Sequence, residues 1–368
     1  MTGDNRFEPP RFTVLPNAAS RLREEESPLV SLLVPCRNEE KFIGSCLESI
    51  VANDYPKDRL EVFVMDGLSE DKTWEIASEY ARRYPFIRLL KNARKITSAA
   101  FNTGLEIARG EAVILIGAHT IYPQNYISGL VEWLGRSGAD SVGGICITRP
   151  IDDSPKAAAI ALGLSHPFGV GNAYFRIRVA APRWVDTVPF GCYRREVFDR
   201  IGRFDEDLAR NQDDEFNFRL LKQGGRILLV PEIVSYYFAR NSLKKLWRMY
   251  NQYGYFKPLV ARKIGAVMTW RQLVPALFVL ALVISTILAF LSPVMRLMLS
   301  ATALGYGTAV VGVSAWVARN HGMRTILALA AVFPVLHLSY GVGFLRGVID
   351  HLMLRRSQIG PSMVSISR

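Results

Sequence analysis

Three places in this 368-residue chain set polar side chains where apolar runs stop. In "VPCRNEE", Pro35, Asn38 and Glu39 follow an apolar run; "LEVFVM" is closed by Asp66, with Asp71 and Thr73 beyond it; and "EAVILIGAHTIYP" climbs like a buried strand and halts at Gly117-Ala118-His119-Thr120. A carboxylate so placed can accept from the two hydroxyls of a ribose, and a second can hold the edge of a base. Further along, "RNQDDEFNFRL" gathers Asp213, Asp214, Glu215 and Arg219. Each group also has an ordinary structural role open to it. Asn38 and Asn211 suit helix caps, Asp71, Asp213 and Asp214 suit the positive end of a helix, and Glu215 with Arg219 forms an i,i+4 pair.

The elements that must position these groups alternate in period. Short apolar strands are predicted at 30–36, 60–67, 87–90, 111–117 and 140–148, separated by helical patterns at 39–52, 69–84 and 97–108, with Ser69 as the N-cap of the second. Such alternation predicts an α/β fold, a mostly parallel sheet wrapped on both faces. In open sheets of this kind ligands bind beyond the carboxyl ends of the strands, where the polar groups above fall. "GLSHPFGVGNAYFR" reads as a mobile glycine-rich loop, whose G-x-G lacks the strand–turn–helix context of a dinucleotide site. "DTVPFGCYRREVF" reads as a strand entering a helix, and "ARNQDDEFNFRLLKQGG" as a helix ending at glycine before the strand "RILLV".

Charge divides the chain. Residues 242–368 hold 14 of the 45 Lys and Arg but a single acid, Asp350, so the whole +12 excess lies in the tail. That tail carries three apolar runs, Leu273–Leu291, Leu297–Ala318 and Thr325–Leu345, each near the roughly 20 residues that cross a bilayer. The segment before them, 242–271, has seven basic residues and no acid, interleaved with Trp247, Tyr250, Tyr253, Tyr255, Phe256 and Trp270. Next to a span this composition belongs at the headgroups, so membrane lipid rather than nucleic acid is the expected partner. Positive-inside counting places 242–271 and the loop with Arg319, His321 and Arg324 in the cytosol; three spans would then leave Arg346, Arg355 and Arg356 outside, against the rule, unless one run is re-entrant. Gly343-x-x-x-Gly347 has the spacing of a helix-contact motif, one that is usually incidental at this length. The first 28 residues are polar, without a signal-peptide pattern, and read as flexible. Cys36, Cys46, Cys146 and Cys192 show no paired metal spacing and read as reduced core thiols.

Taken together, "VSLLVPCRNEEKFIGSCLESI", "VFVMDGLSEDKT" and "SAAFNTGLEIARGEAVILI" closely resemble the nucleotide-sugar-binding half of family 2 glycosyltransferases over about residues 29–240. The resemblance implies a GT-A domain, Rossmann-like, at 29–241, followed by the interfacial segment 242–271, three transmembrane helices within 272–346 and a tail, 347–368. It implies that Pro35, Asn38, Glu39 and Asp66 line the uridine pocket, and that Asn102 and Gly104 lie beside the phosphates. Asp213 matches the catalytic base, with Asp214 as a fallback and Glu215 and Arg219 in support. Phe190-Gly191 match an acceptor-facing strand. Two departures stand out. Gln212 replaces an acid, and Gly117-Ala118-His119 replaces the Asp-x-Asp whose second carboxylate holds a divalent metal. Three roles therefore stay open for His119: ligand of a divalent cation, with imidazole favouring Mn²⁺ over Mg²⁺; protonated donor to the diphosphate; or structural residue.

An inverting glycosyltransferase needs one base, because the diphosphate is already a good leaving group once its charge is met. The expectation is transfer from a UDP-sugar, UDP-glucose foremost, to a lipid-linked saccharide in surface polysaccharide synthesis, on the cytoplasmic side of the inner membrane; the tail resembles that of succinoglycan-type exopolysaccharide glucosyltransferases. Two alternatives are a transferase acting on polyprenyl phosphate itself and a sugar-nucleotide sensor without turnover. Gln252-Tyr-Gly-Tyr-Phe does not match the Gln-x-x-Arg-Trp of processive members, so one sugar per encounter is expected.

Overall fold

The computed structural model describes residues 27–177, 179–266 and 269–355. The expected N-terminal segment, apart from residues 27 and 28, and the tail from residue 356, Arg356 included, lie outside the described residues. The strands are β1 (Val30–Cys36), β2 (Leu60–Asp66), β3 (Ile87–Lys91), β4 (Ala112–Leu115), β5 (Thr120–Ile121), β6 (Ser141–Arg149), β7 (Arg183–Val185), β8 (Cys192–Arg194) and β9 (Ile227–Phe238). They form one sheet in the order β3-β2-β1-β4-β8-β6-β9-β5, with β7 also on β9. The helices are α1 (Ile43–Val51), α2 (Thr73–Arg83), α3 (Thr97–Ile107), α4 (Tyr126–Ser137), α5 (Pro155–Leu164), α6 (Pro167–Val170), α7 (Arg195–Ile201), α8 (Gln212–Lys222), α9 (Leu243–Ile264), α10 (Val274–Ala289), α11 (Pro293–Val317) and α12 (Met323–Gly347).

β1, β2 and β4 are nearly all apolar because both faces are covered, as expected of parallel strands. Val30, Leu32 and Val34 face one layer with Ile43 and Leu47 of α1, while Leu33, Phe63 and Met65 face the other with Ala100 and Phe101 of α3. The parallel register pairs Pro35 with Met65 and Cys36 with Asp66, so β1 and β2 end side by side and deliver their loops to one place. β8 inserts antiparallel between β4 and β6, which brings Phe190 and Gly191 to the end of β4.

Three local expectations are corrected. Ser69 does not cap α2, which begins at Thr73; its hydroxyl and N–H turn back onto the Asp66 carboxylate instead. Asn211 stands at the head of α8 in a left-handed conformation with its side-chain amide donated to the Tyr253 carbonyl, not to its own helix. The expected loop at 163–176 is helical in part: Ser154 caps Ala157 N–H at 3.1 Å, Pro155 opens α5, which runs to Leu164, and α6 takes up 167–170. The apolar surface of α5 is covered by α12, close enough that a Cβ on Gly163 would lie 2.6 Å from Val332. A partner 170 residues away leaves no mark on local periodicity.

The helices Trp270–Ala289, Pro293–Val317 and Met323–Met353 are long and apolar enough to cross a membrane. The third continues past 346, as a π-helical turn from Val348 to Met353. It runs alongside α9 in the same direction: Leu246 and Met249 pack in one cluster with Leu329, Val332 and Leu336, Asn251 donates to the Ser339 carbonyl at 3.1 Å, and Tyr255 OH to Asp350 at 3.0 Å. Gly343 and Gly347 do form a helix contact, against Asn251 and Tyr255 of α9. The four cysteines are buried and none forms a disulfide.

Candidate active site

The loops after β1 and β2 lock together. Asn38, at φ 55°, accepts from Glu70 N–H at 2.9 Å, and its own N–H is donated to Ser69 Oγ at 2.9 Å. Glu39 N–H is donated to Thr73 Oγ1 at 2.6 Å. Asp71 accepts from Thr73 N–H at 3.0 Å and Glu40 N–H at 3.2 Å. Burial works against its charge, yet these bonds and that from the Thr73 hydroxyl outweigh it and hold the Asp71 carboxyl below its ordinary range. Asp66, buried at the end of β2, accepts from Ser69 at both oxygens. Two loops that share hydrogen bonds this way present Glu39 and Asp66 on a rigid floor.

Glu39 reaches His119, with Oε1 3.4 Å from Nδ1. The ring of His119 meets Tyr237 edge-on at 5.0 Å. Its pKa is pulled down to about 3, first by burial and then by the charges of Arg240, Arg210 and Arg176. That shift favours the neutral imidazole in the ligand-free cleft, and the negative charge of a diphosphate beside it would push the pKa back up, so the donor role stays open. Gly117, in the first acid position, has no room for a side chain: a Cβ there would lie 2.5 Å from the Phe190 ring. Among the described residues no three His, Cys, Asp or Glu side chains gather to hold a metal. A divalent ion would find Glu39 and His119, with three guanidinium charges behind them. That donor set fits an anion better than a dication.

Asp213 sits in the first turn of α8. Burial, and then the neighbouring Asp214, push its pKa up to about 6 against the pull of Lys257. That value suits a general base near neutrality, where dipole stabilisation alone would have lowered it. Arg210 links it to the rest of the cleft, since its charge is felt by both Asp213 and His119. Lys257 Nζ of α9 holds Oδ2 of Asp214 at 2.5 Å. Glu215 and Arg219 form a two-pronged pair, each contact 2.8 Å, and Arg219 also donates to the carbonyls of Ile201 and Arg203. They clamp α8 to the preceding segment.

Other expected site residues have structural work. Asn102 makes a pair of bonds with the Phe204 backbone, at 2.9 and 3.0 Å, and donates to Glu206 at 2.8 Å, so its amide is spent on the 204–206 turn rather than aimed at phosphates. Gly104 lets α3 settle on the sheet, where a Cβ would lie 2.6 Å from Leu33. Phe190 packs its ring on Gly117 and Tyr122 rather than leaving a gap for an acceptor. Gly191 accommodates Tyr193, whose ring would be 2.8 Å from a Cβ there. Pro35 stands near the end of β1 opposite Met65, half-buried. The sequence reading missed Arg176, Arg210, Arg240 and Lys257. Arg210 and Arg240 do stand immediately outside α8 and β9, but isolated arginines carry no periodic signal.

Comparisons with known proteins bear on the family and the fold. The model of glycosyl transferase family 2 matches residues 31–202. The succinoglycan biosynthesis protein ExoA of Rhizobium meliloti is 30% identical over 326 residues, 87% of this chain and 94% of its own. A dolichyl N-acetyl-alpha-D-glucosaminyl phosphate 3-beta-D-2,3-diacetamido-2,3-dideoxy-beta-D-glucuronosyltransferase of Methanococcus voltae is 31% identical over 265 residues, 70% of this chain and 81% of its own. Among solved structures, the mannosyltransferase PcManGT of Pyrobaculum calidifontis, in complex with GDP-Man and Mn²⁺, superposes with a TM-score of 0.55 at 22% identity, over 90% of this chain and 89% of that one, a likeness of fold. That fold is the GT-A fold, here followed by three long apolar helices. The chain belongs to glycosyltransferase family 2 and is a glycosyltransferase.

Proposed function

We propose that the enzyme moves a sugar from a nucleotide-diphosphate sugar, UDP-glucose foremost, to a membrane lipid-linked saccharide, with inversion at the anomeric carbon. The observation that carries this reading is Asp213: a half-buried carboxylate that stays basic at neutral pH, joined through the field of Arg210 to the polar groups at the ends of β1, β2 and β4. Asp213 takes the proton of the acceptor hydroxyl as that oxygen attacks the anomeric carbon. The bond from that carbon to the diphosphate oxygen breaks, and its electron pair leaves with the nucleoside diphosphate. Glu39 and Asp66 hold the nucleoside end. The lipid-linked acceptor is supported by the apolar helices and by relatives whose names concern succinoglycan biosynthesis and a dolichyl phosphate-linked sugar. Membranes containing the protein, given a panel of radiolabelled nucleotide sugars, should pass label from UDP-glucose into the lipid extract. Label that enters no lipid from any donor defeats the proposal.

We place the catalytic domain on the cytoplasmic face of the inner membrane, with α10 and α11 as a spanning hairpin and α12 lying against α9 on the cytoplasmic side. This arrangement keeps Arg319, Arg324, Arg346 and Arg355 on one side, in accord with positive-inside counting. Since the native thiols are buried, single cysteines in place of Arg248 and Leu354 should react with an impermeant maleimide from the same face, and one in place of Leu291 from the other. Opposite reactivity of Arg248→Cys and Leu354→Cys would make α12 a full span.

A further inference from the structure

The cleft holds three guanidinium groups that take no part in the proton transfer above. Arg176 follows α6, Arg210 precedes α8 and Arg240 follows β9, yet all three charges act on His119. Arg176 lies over Tyr237 at 5.2 Å and donates to Thr148 at 3.2 Å; Arg210 lies 5.9 Å from the Tyr253 ring and donates to Gln252 at 3.2 Å; Arg240 donates to Met249 Sδ at 2.7 Å. These partners are neutral. Among the described residues no carboxylate comes within ion-pair distance of any of the three, and Nη2 of Arg210 is buried without a hydrogen-bond partner.

Like charges gathered in a part-buried cleft repel one another, and Arg210 does feel Arg240 as a repulsion. Asp213 offsets part of that repulsion at Arg210, while the hydrogen-bond partners of Arg176 and Arg240 are neutral and do not. Guanidinium groups are the side chains that match phosphate oxygens with paired donors. The cluster's position narrows the ligand further. It lies between His119, beside which a leaving diphosphate must pass, and Tyr250 and Tyr253 of the basic-aromatic helix α9.

We propose that Arg176, Arg210 and Arg240 form a diphosphate site that meets the charge of a pyrophosphate group without a protein-held metal. The inference rests on the glycosyltransferase reading of the same cleft, and two diphosphates present themselves there: that of the donor, and that of a polyprenyl diphosphate-linked acceptor. Both share the chemistry and the test separates them.

The full-length protein in detergent, with EDTA present, is titrated with inorganic pyrophosphate, UDP, uridine and geranylgeranyl diphosphate, for wild type and for Arg176→Gln, Arg210→Gln, Arg240→Gln and the corresponding lysine variants. Pyrophosphate should bind the wild type without a divalent ion, and each glutamine variant should weaken it on the order of tenfold to a hundredfold, as expected for loss of charge-assisted bonds. Lysine should restore part of the loss, and unchanged uridine binding reports an intact fold. A loss confined to UDP assigns the site to the donor, and one confined to geranylgeranyl diphosphate assigns it to the acceptor. Pyrophosphate binding that needs a divalent ion, or that is unchanged in all three glutamine variants, overturns the proposal. Because no sugar transfer is measured, these titrations stand or fall apart from the assay for labelled lipid.

Discussion

Asp213→Asn lowers kcat by about 10²- to 10⁴-fold, the range for loss of a positioned general base, while nucleotide affinity stays near wild type. Asparagine keeps the shape and the hydrogen bond accepted from Asp214 N–H at 3.0 Å, so the loss reports the missing proton acceptor and not a disturbed helix. The pH profile carries the same information with a definite sign. Only the ionised carboxylate accepts a proton, so kcat/KM should fall about tenfold per unit as pH drops below the Asp213 pKa of about 6. Lys257 lowers that pKa and Asp214 raises it. Lys257→Met should therefore move the acid limb to higher pH, and Asp214→Asn should move it to lower pH. Stopped assays of label transfer between pH 5 and 8 measure all three. An unmoved limb, or full activity of Asp213→Asn, would remove Asp213 from its role as the base.

Gly254→Leu should cost about 3 kcal/mol of stability, the upper end for overpacking, and abolish transfer, although it changes no residue of the cleft. A Cβ at Gly254 would lie 2.1 Å from the Tyr340 carbonyl oxygen, and one at Gly343 would lie 2.1 Å from that of Asn251. The clash is with backbone on both helices, so no rotamer relieves it and α9 must part from α12. The helix that moves is the one that grips α8. Tyr253 accepts from Asn211, Gln252 from Arg210 and Ile264 from Lys222, while Lys257 holds Asp214. Gly305, with open space around it, is the control, and Gly305→Leu should leave both properties unchanged. Thermal unfolding in detergent and transfer assays on the same preparations distinguish the two. Wild-type stability and activity in Gly254→Leu would show that the contact between the helices is dispensable.

Much of the sheet was legible because its signals are local. β1 matches the predicted strand at both ends, β2 to within a residue, and α3 begins at the predicted Thr97, since seven-residue apolar runs and 3.6-residue patterns are written in adjacent residues. The apolar tail was legible for the same reason: length and composition suffice. The helix α5 was not, because its sequence is rich in alanine, with one glycine, and its apolar face is explained by distant partners, those of α12 among them. Within the site, the type and order of Glu39, Asp66 and Asp213 could be read. Whether Asn102 points at a ligand or at the Phe204 turn could not, since the deciding partner is about 100 residues distant.

By itself the amino-acid sequence determined the alternation of strand and helix, the carboxylates offered at the strand ends and the segregation of positive charge into an apolar tail. These are properties of neighbours along the chain. Only the tertiary structure decided that Phe190 fills the space beside Gly117 and that the charges of Arg176, Arg210 and Arg240 act on His119. Steric exclusion and electrostatic fields depend on distance through space, and folding brings together residues that the chain keeps far apart.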